Sequence, residues 1–124
     1  MSSDPDTVLL VDDHSGTRAG LRSLLENEGL VVETATNGRE ALQLLQAGLM
    51  PCIIVLDLDM PVMTGCAFRQ AQMAYPQFRD IPVVLFSGDA DLAETAERLE
   101  VADYAAKPID AQKMRAVVLR HCRR

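Results

Sequence analysis

An α/β fold is predicted for this chain: a five-stranded parallel sheet of order 2-1-3-4-5 with helices on both faces. Short apolar runs alternate with amphipathic helical stretches five times, and the connections between them are short. The central run, Ile53-Ile54-Val55-Leu56, is branched and apolar at every position, as in a parallel strand covered on both faces. The runs end on Asp12-Asp13, Asp57, Ser87 and Lys107, so polar side chains gather at the carboxyl edge, where open α/β sheets bind their ligands.

Each element has its own local reason. Thr7 to Val11 is a compact buried strand ending on Asp12-Asp13. Ser15 caps a helix through about Glu28, with Leu21, Leu24 and Leu25 on one face and Gly29 as its stop. Leu30 to Ala35 is the second strand, and Asn37-Gly38-Arg39-Glu40 has capping-box spacing for a helix carrying Ala41, Leu42, Leu44 and Leu45 up to Gly48. The central strand comes third, running from Cys52 to Asp57. Pro61 and Gly65 make the next stretch a loop before a helix from about Cys66 to Tyr75.

Ile81 to Phe86 is the fourth strand, with Pro82 near its start, where a missing N–H is tolerated. Asp91 and Glu94 have capping-box spacing for a helix through about Glu100. Asp103 to Ala106 is placed as a short fifth strand mainly because the alternation requires one. Asp110 caps the last helix, in which Met114, Val117 and Val118 form the buried stripe. Arg115, Arg120, Arg123 and Arg124 come late in it, where positive charge suits the helix dipole. Without repeats, linkers or low-complexity segments, residues 1–124 read as a single domain with its core at about 7–122.

Composition narrows the function class. The 124 residues are 48% hydrophobic and 24% charged, as in an ordinary globular protein with a working core. Twelve basic against eighteen acidic residues give a net charge of −6, which disfavours direct contact with nucleic acid or anionic lipid. The polar, acidic start Met1-Ser2-Ser3-Asp4-Pro5-Asp6 lacks a secretory pattern, and no apolar run approaches a membrane span. A cytoplasmic protein is expected. Its three cysteines, Cys52, Cys66 and Cys122, are odd in number and lack zinc spacing, so reduced thiols are expected.

In the 2-1-3-4-5 order the first and third strands are neighbours, which brings Asp12, Asp13 and Asp57 into one crevice. Three carboxylates there repel one another strongly unless a cation joins them. Oxygen ligands of this kind suit magnesium, with manganese as a substitute. The fourth strand adds the Ser87 hydroxyl and the fifth the Lys107 ammonium. Hydroxyl, ammonium and metal all suit a phosphoryl group in transfer, with Asp57 as nucleophile.

Asp12-Asp13, the Val-Leu-Asp57-Leu-Asp59-Met-Pro61-x-x-x-Gly65 stretch, Ser87-Gly88 and Lys107-Pro108 together resemble the receiver domain of two-component response regulators. The match covers about Val8 to Cys122, and its motifs are specific as a set rather than singly. The resemblance implies the flavodoxin-like fold and phosphotransfer onto Asp57 from a sensor histidine kinase or phosphotransfer protein. It implies a phosphoacceptor signalling domain rather than an enzyme. Asp12, Asp13, Asp57 and the backbone carbonyl of Asp59 would hold the magnesium. Ser87 would bond the phosphoryl group, Tyr104 would turn inward behind it, and Lys107-Pro108 would be cis. Output would pass through the face of the fourth helix, fifth strand and fifth helix to an output domain or target protein, as a monomer or a phosphorylation-dependent dimer.

Some positions depart from the pattern. Glu100-Val101-Ala102 stands where receivers usually carry Gly-Ala, and Ala105 where a larger aliphatic is usual. By the same resemblance, Asp59 and Asp89 occupy positions that vary in the family and would flank the water's attack path, with a bearing on acyl-phosphate lifetime.

Taken singly, each residue has a plainer reading. Asp12-Asp13 would be favourable charges before a helix, Ser87 a turn hydroxyl, Lys107 a surface lysine and Tyr104 a partly exposed strand aromatic. His14 is expected to be a solvent-facing loop residue, and Met60 and Met63 loop packing. Among whole-chain rivals, Asp57-Leu58-Asp59 also fits the Asp-x-Asp of haloacid-dehalogenase-type phosphatases, although that motif normally ends a first strand in a larger domain. A receiver-like binding module without phosphorylation is the second rival. A flavodoxin-type nucleotide binder is opposed by the acidic turn after the first strand.

Overall fold

The computed structural model describes residues 6–108 and 110–122, so Arg123 and Arg124 of the late basic cluster lie outside the described residues. The elements are β1 (Thr7–Val11), α1 (Ser15–Glu26), β2 (Val31–Ala35), α2 (Gly38–Gln46), β3 (Ile53–Asp57), α3 (Gly65–Ala74), β4 (Val83–Ser87), α4 (Leu92–Leu99), β5 (Asp103–Ala106) and α5 (Ala111–His121). All strand pairs are parallel, in the order β2-β1-β3-β4-β5. The flavodoxin-like fold expected from the sequence is the one observed. No helix among the described residues is long and apolar enough to cross a membrane.

The two-residue period of the strands divides the core into two layers. Leu9, Val11, Ile54, Leu56, Val83 and Leu85 face α2, α3 and α4 through Ala41, Leu45, Phe68, Leu92 and Ala96. Val8, Leu10, Ile53, Val55, Val84 and Phe86 face α1 and α5 through Leu21, Leu25, Met114, Val117 and Val118. β1, β3 and β4 are buried throughout, which is why their sequences are continuously apolar instead of alternating.

Helix starts differ from the sequence reading where a side chain has more than one partner to choose from. His14, not Ser15, caps α1: its Nδ1 accepts the Thr17 backbone N–H at 3.0 Å. Asn37 caps α2 as expected, but Glu40 reaches back to the Thr36 N–H, not to that of Asn37. Asp91 precedes α4 without any side-chain cap bond, because its backbone is not extended (φ −93°, ψ 18°). Asp110 caps α5 through the N–H groups of Gln112 and Lys113.

The end of α4 is held from below by a residue that carries no local signal in the sequence. Arg69 of α3 is buried, and its Nε and Nη2 donate to the carbonyl oxygens of Leu99 and Glu100 at 3.0 and 2.8 Å. Nη1 donates to Gln72 Oε1 at 2.8 Å, and Gln72 in turn donates to the carbonyls of Phe78 and Ile81. Burial lowers the pKa of the guanidinium, against the opposing charge of Glu100. A cation on the last carbonyls of a helix also meets the negative end of its dipole. Glu100 itself is left-handed (φ 56°), so the residue that departs from the usual Gly-Ala pattern is the one Arg69 ties down.

The expectation of reduced thiols is corrected for two of the cysteines. Cys52 and Cys122, 70 residues apart, form a disulfide with a Cα–Cα distance of 5.4 Å, within the ordinary range for such bonds. Cys66 is the free cysteine, half-buried in α3. An odd count could not reveal the pair, because only the packing of α5 brings its end beneath the start of β3.

Two stability outcomes follow. Arg69→Met keeps the apolar stem but leaves the Leu99, Glu100 and Gln72 acceptors without their donors, so urea unfolding is expected to show a loss of about 2–4 kcal/mol. Val62 is β-branched, 73% exposed and left-handed (φ 69°). Val62→Gly relieves that conformation and is expected to raise stability by about 1 kcal/mol in the same assay.

Candidate functional site

Strand register assembles the site. Val11 pairs with Leu56, so Asp12 and Asp57 follow side by side on adjacent strands, and Asp57 pairs with Phe86 one residue before Ser87. Ser87 pairs with Ala106, and the next residue, Lys107, donates its N–H to the Ser87 carbonyl at 2.8 Å. Ligand oxygens of Asp12, Asp13 and Asp57 all lie within 4.8 Å of one another. Lys107 Nζ stands 3.4 Å from Asp57 Oδ1 and 5.0 Å from the centre of the Phe86 ring, a cation–π contact. The Lys107-Pro108 peptide bond is cis.

Burial sets the electrostatics. Asp12 and Asp57 are 0% and 2% exposed, while Asp13 is exposed. The pKa of Asp57 is raised from 3.8 to about 6, chiefly by burial and then by the neighbouring Asp12 carboxyl; the Asp59 N–H and the Lys107 charge pull the other way. Asp12 Oδ1 accepts the His14 N–H at 3.0 Å, and Arg18 Nη1 donates to the Asp12 carbonyl at 2.8 Å. Asp12 Oδ2 is buried without a hydrogen-bond partner. An orphaned carboxylate oxygen beside two further carboxylates fits a hard divalent cation such as Mg2+, which takes oxygen ligands.

Ser87 is buried, and its Oγ accepts the Asp89 N–H at 3.0 Å. The Asp59 N–H reaches Asp57 Oδ1 at 3.2 Å, while the Asp59 residue is exposed. Tyr104 sits apart from this cluster: it is 38% exposed, with Lys113 Nζ 5.7 Å from its ring. His14 is exposed as expected, but it is a helix cap rather than a bystander.

Sequence reasoning missed Arg18 and Phe86, which contact the site from one turn into α1 and from the buried strand β4. Helical position and apolarity gave neither a signal. The motif glycine, Gly65, has a steric reason. A Cβ there would stand 2.5 Å from the Asp57 carbonyl oxygen and 2.8 Å from the Leu58 Cα, so α3 begins against the backbone that carries the acid.

The family model described as a response regulator receiver domain matches residues 8–119. Over 117 residues the chain is 34% identical to an uncharacterized 14.6 kDa protein of Leptolyngbya boryana, covering 93% of this chain and 88% of that protein. It is 29% identical to the response regulator Rre1 of Synechocystis sp., over 94% of this chain and 51% of that protein, so it spans about half of Rre1. Among solved structures, the chemotaxis response regulator CheY4 of Vibrio cholerae superposes with a TM-score of 0.85 at 28% identity, over 94% of this chain and 98% of the other.

The raised Asp57 pKa makes stability depend on pH. A folded state that holds this proton more tightly than the unfolded chain loses stability as pH rises from 3.8 to about 6, and the loss is complete above that window. In metal-free protein Asp57→Asn is expected to flatten this slope in urea unfolding and to gain about 1–3 kcal/mol at neutral pH.

Proposed function

The chain belongs to the response regulator receiver domain family, and on that premise we propose that it is a signalling unit accepting a phosphoryl group on Asp57. The observation that carries the reading is one buried carboxylate paired with Lys107 at 3.4 Å beside two more carboxylates. A phosphohistidine on a histidine kinase or phosphotransfer protein is the donor. An Asp57 carboxylate oxygen attacks its phosphorus, the P–N bond breaks, and the imidazole leaves with the bonding pair.

Lys107 keeps Asp57 ionised for attack and then neutralises a phosphoryl oxygen. Asp12, Asp13, Asp57 and the Asp59 carbonyl would hold Mg2+, which when bound supplies charge neutralisation at the phosphoryl oxygens. The Ser87 hydroxyl, now accepting from the Asp89 N–H, donates to the phosphoryl group. Tyr104, now outward beside Lys113, follows Ser87 inward, and the face of α4, β5 and α5 changes its population for an output domain or target protein.

A groove of about 440 Å³ beside Lys107, lined by Gly16, Gly20, Leu21, Leu24 and Pro108, supports approach of a donor protein along α1. The acidic surface supports a protein partner over nucleic acid or membrane, in the cytoplasm. Residues 1–124 are read as one receiver unit, a monomer or a dimer formed on phosphorylation. Asp57 ends the third strand rather than the first, which weighs against the haloacid-dehalogenase-type alternative.

Incubation with acetyl phosphate and Mg2+, and separately with a phosphorylated histidine phosphotransfer domain, followed by intact mass, tests the reading. The gain of one phosphoryl group is expected from either donor. It should disappear in Asp57→Asn and form about tenfold or more slowly in Lys107→Ala. No gain from both donors, or a gain that survives Asp57→Asn, overturns it.

A further inference from the structure

The far end of the sheet carries chemistry that phosphoryl transfer does not use. Cys52 immediately precedes β3, whose other end is Asp57, and its backbone N–H is fixed to the Thr7 carbonyl at 2.8 Å. Cys122 closes α5, with its own N–H on Val118 and its side chain 1% exposed in the layer shared by α1 and α5. The disulfide therefore joins the end of α5 to the start of β3, a strand buried throughout and paired on both sides. The ion pairs that otherwise tether α5, Arg115 to Glu28 and Arg120 to Asp103, are partly exposed and weakened by solvent.

Two features suit reversible use of this bond. Cys52 is half-buried whereas Cys122 is 1% exposed, so Cys52 is the less enclosed partner of the pair. Its Sγ also lies 3.0 Å from the Thr7 carbonyl oxygen, an acceptor for the S–H when the bond is open. The reduced form thus has a ready partner in the same packing.

We infer that the Cys52–Cys122 pair is a redox latch, which pins the end of α5 to the sheet when oxidised and releases it when reduced. A low-molecular-weight disulfide is the oxidant. The Cys52 thiolate attacks one of its sulfurs and expels a thiolate; the Cys122 thiolate then attacks the Cys52 sulfur and expels the second. Two protons leave the cysteines, and two electrons end on the two released thiols. Because α5 forms one side of the α4, β5 and α5 face, the oxidation state of this pair sets how firmly that face is held. The latch itself does not depend on Asp57.

The test treats the full chain with oxidised glutathione or with dithiothreitol, quenches in acid, and counts thiols by alkylation under denaturing conditions. One alkylated cysteine, Cys66, is expected after oxidation and all three after reduction. Hydrogen exchange over residues 115–122 should be about tenfold slower in the oxidised protein and return on reduction without global unfolding. Cys52→Ser, which leaves the buried Cys122 in place, should abolish the difference, whereas Cys66→Ser and Asp57→Asn should keep it. Three alkylatable thiols in the oxidised arm, a bond that dithiothreitol does not open in the folded protein, or equal exchange in both arms overturns the latch. The Asp57→Asn arm separates that failure from failure of the phosphoacceptor reading.

Discussion

Neighbouring carboxylates at the ends of β1 and β3 are the constraint on which the rest depends. Asp12 and Asp57 lie where water scarcely reaches, and Asp13 stands at the rim of the same crevice. Buried like charges at this spacing are tolerated only by holding a proton or by recruiting positive charge. Lys107, just past β5, supplies part of it, while burial still raises the pKa of Asp57. The residual demand for positive charge is a local cost that the packing of this fold concentrates at one crevice.

Strand interiors and strand ends divide the site between them. The acids ride on β1 and β3, which are buried along their whole length and fixed in register by their neighbours. The hydroxyl and the lysine sit where β4 and β5 give way to loops, joined by the Lys107 to Ser87 backbone bond. Asp57 meets Lys107 at 3.4 Å, and Lys107 follows β5 directly in sequence.

The same face is anchored at its margins. Arg69 fastens the end of α4 through two carbonyl bonds, and the disulfide fastens the end of α5. Glu100, the departure from the common receiver pattern, is accommodated because a buried guanidinium satisfies the carbonyls of that left-handed turn. Ala105, the other departure, is buried in the layer shared with α5, where its small side chain leaves the packing to Phe86, Met114 and Val118.

The chain itself dictated all that depends on short range and on period. Continuous apolarity marked β1, β3 and β4, helical spacing marked the faces of α1 and α5, and the order of motifs carried Asp12, Asp13, Asp57, Ser87 and Lys107 to one edge. Tertiary structure alone decided which distant groups meet. The bond between Cys52 and Cys122 and the clamp of Arg69 on Glu100 are long-range contacts with no local signature. It also decided the choice among nearby partners: His14 in place of Ser15, Thr36 in place of Asn37, and no cap at Asp91, since backbone angles determine which donor a short side chain can reach. The proton affinity of Asp57 belongs to the same class, because desolvation is a property of the packed core around an acid and not of the acid's neighbours in sequence.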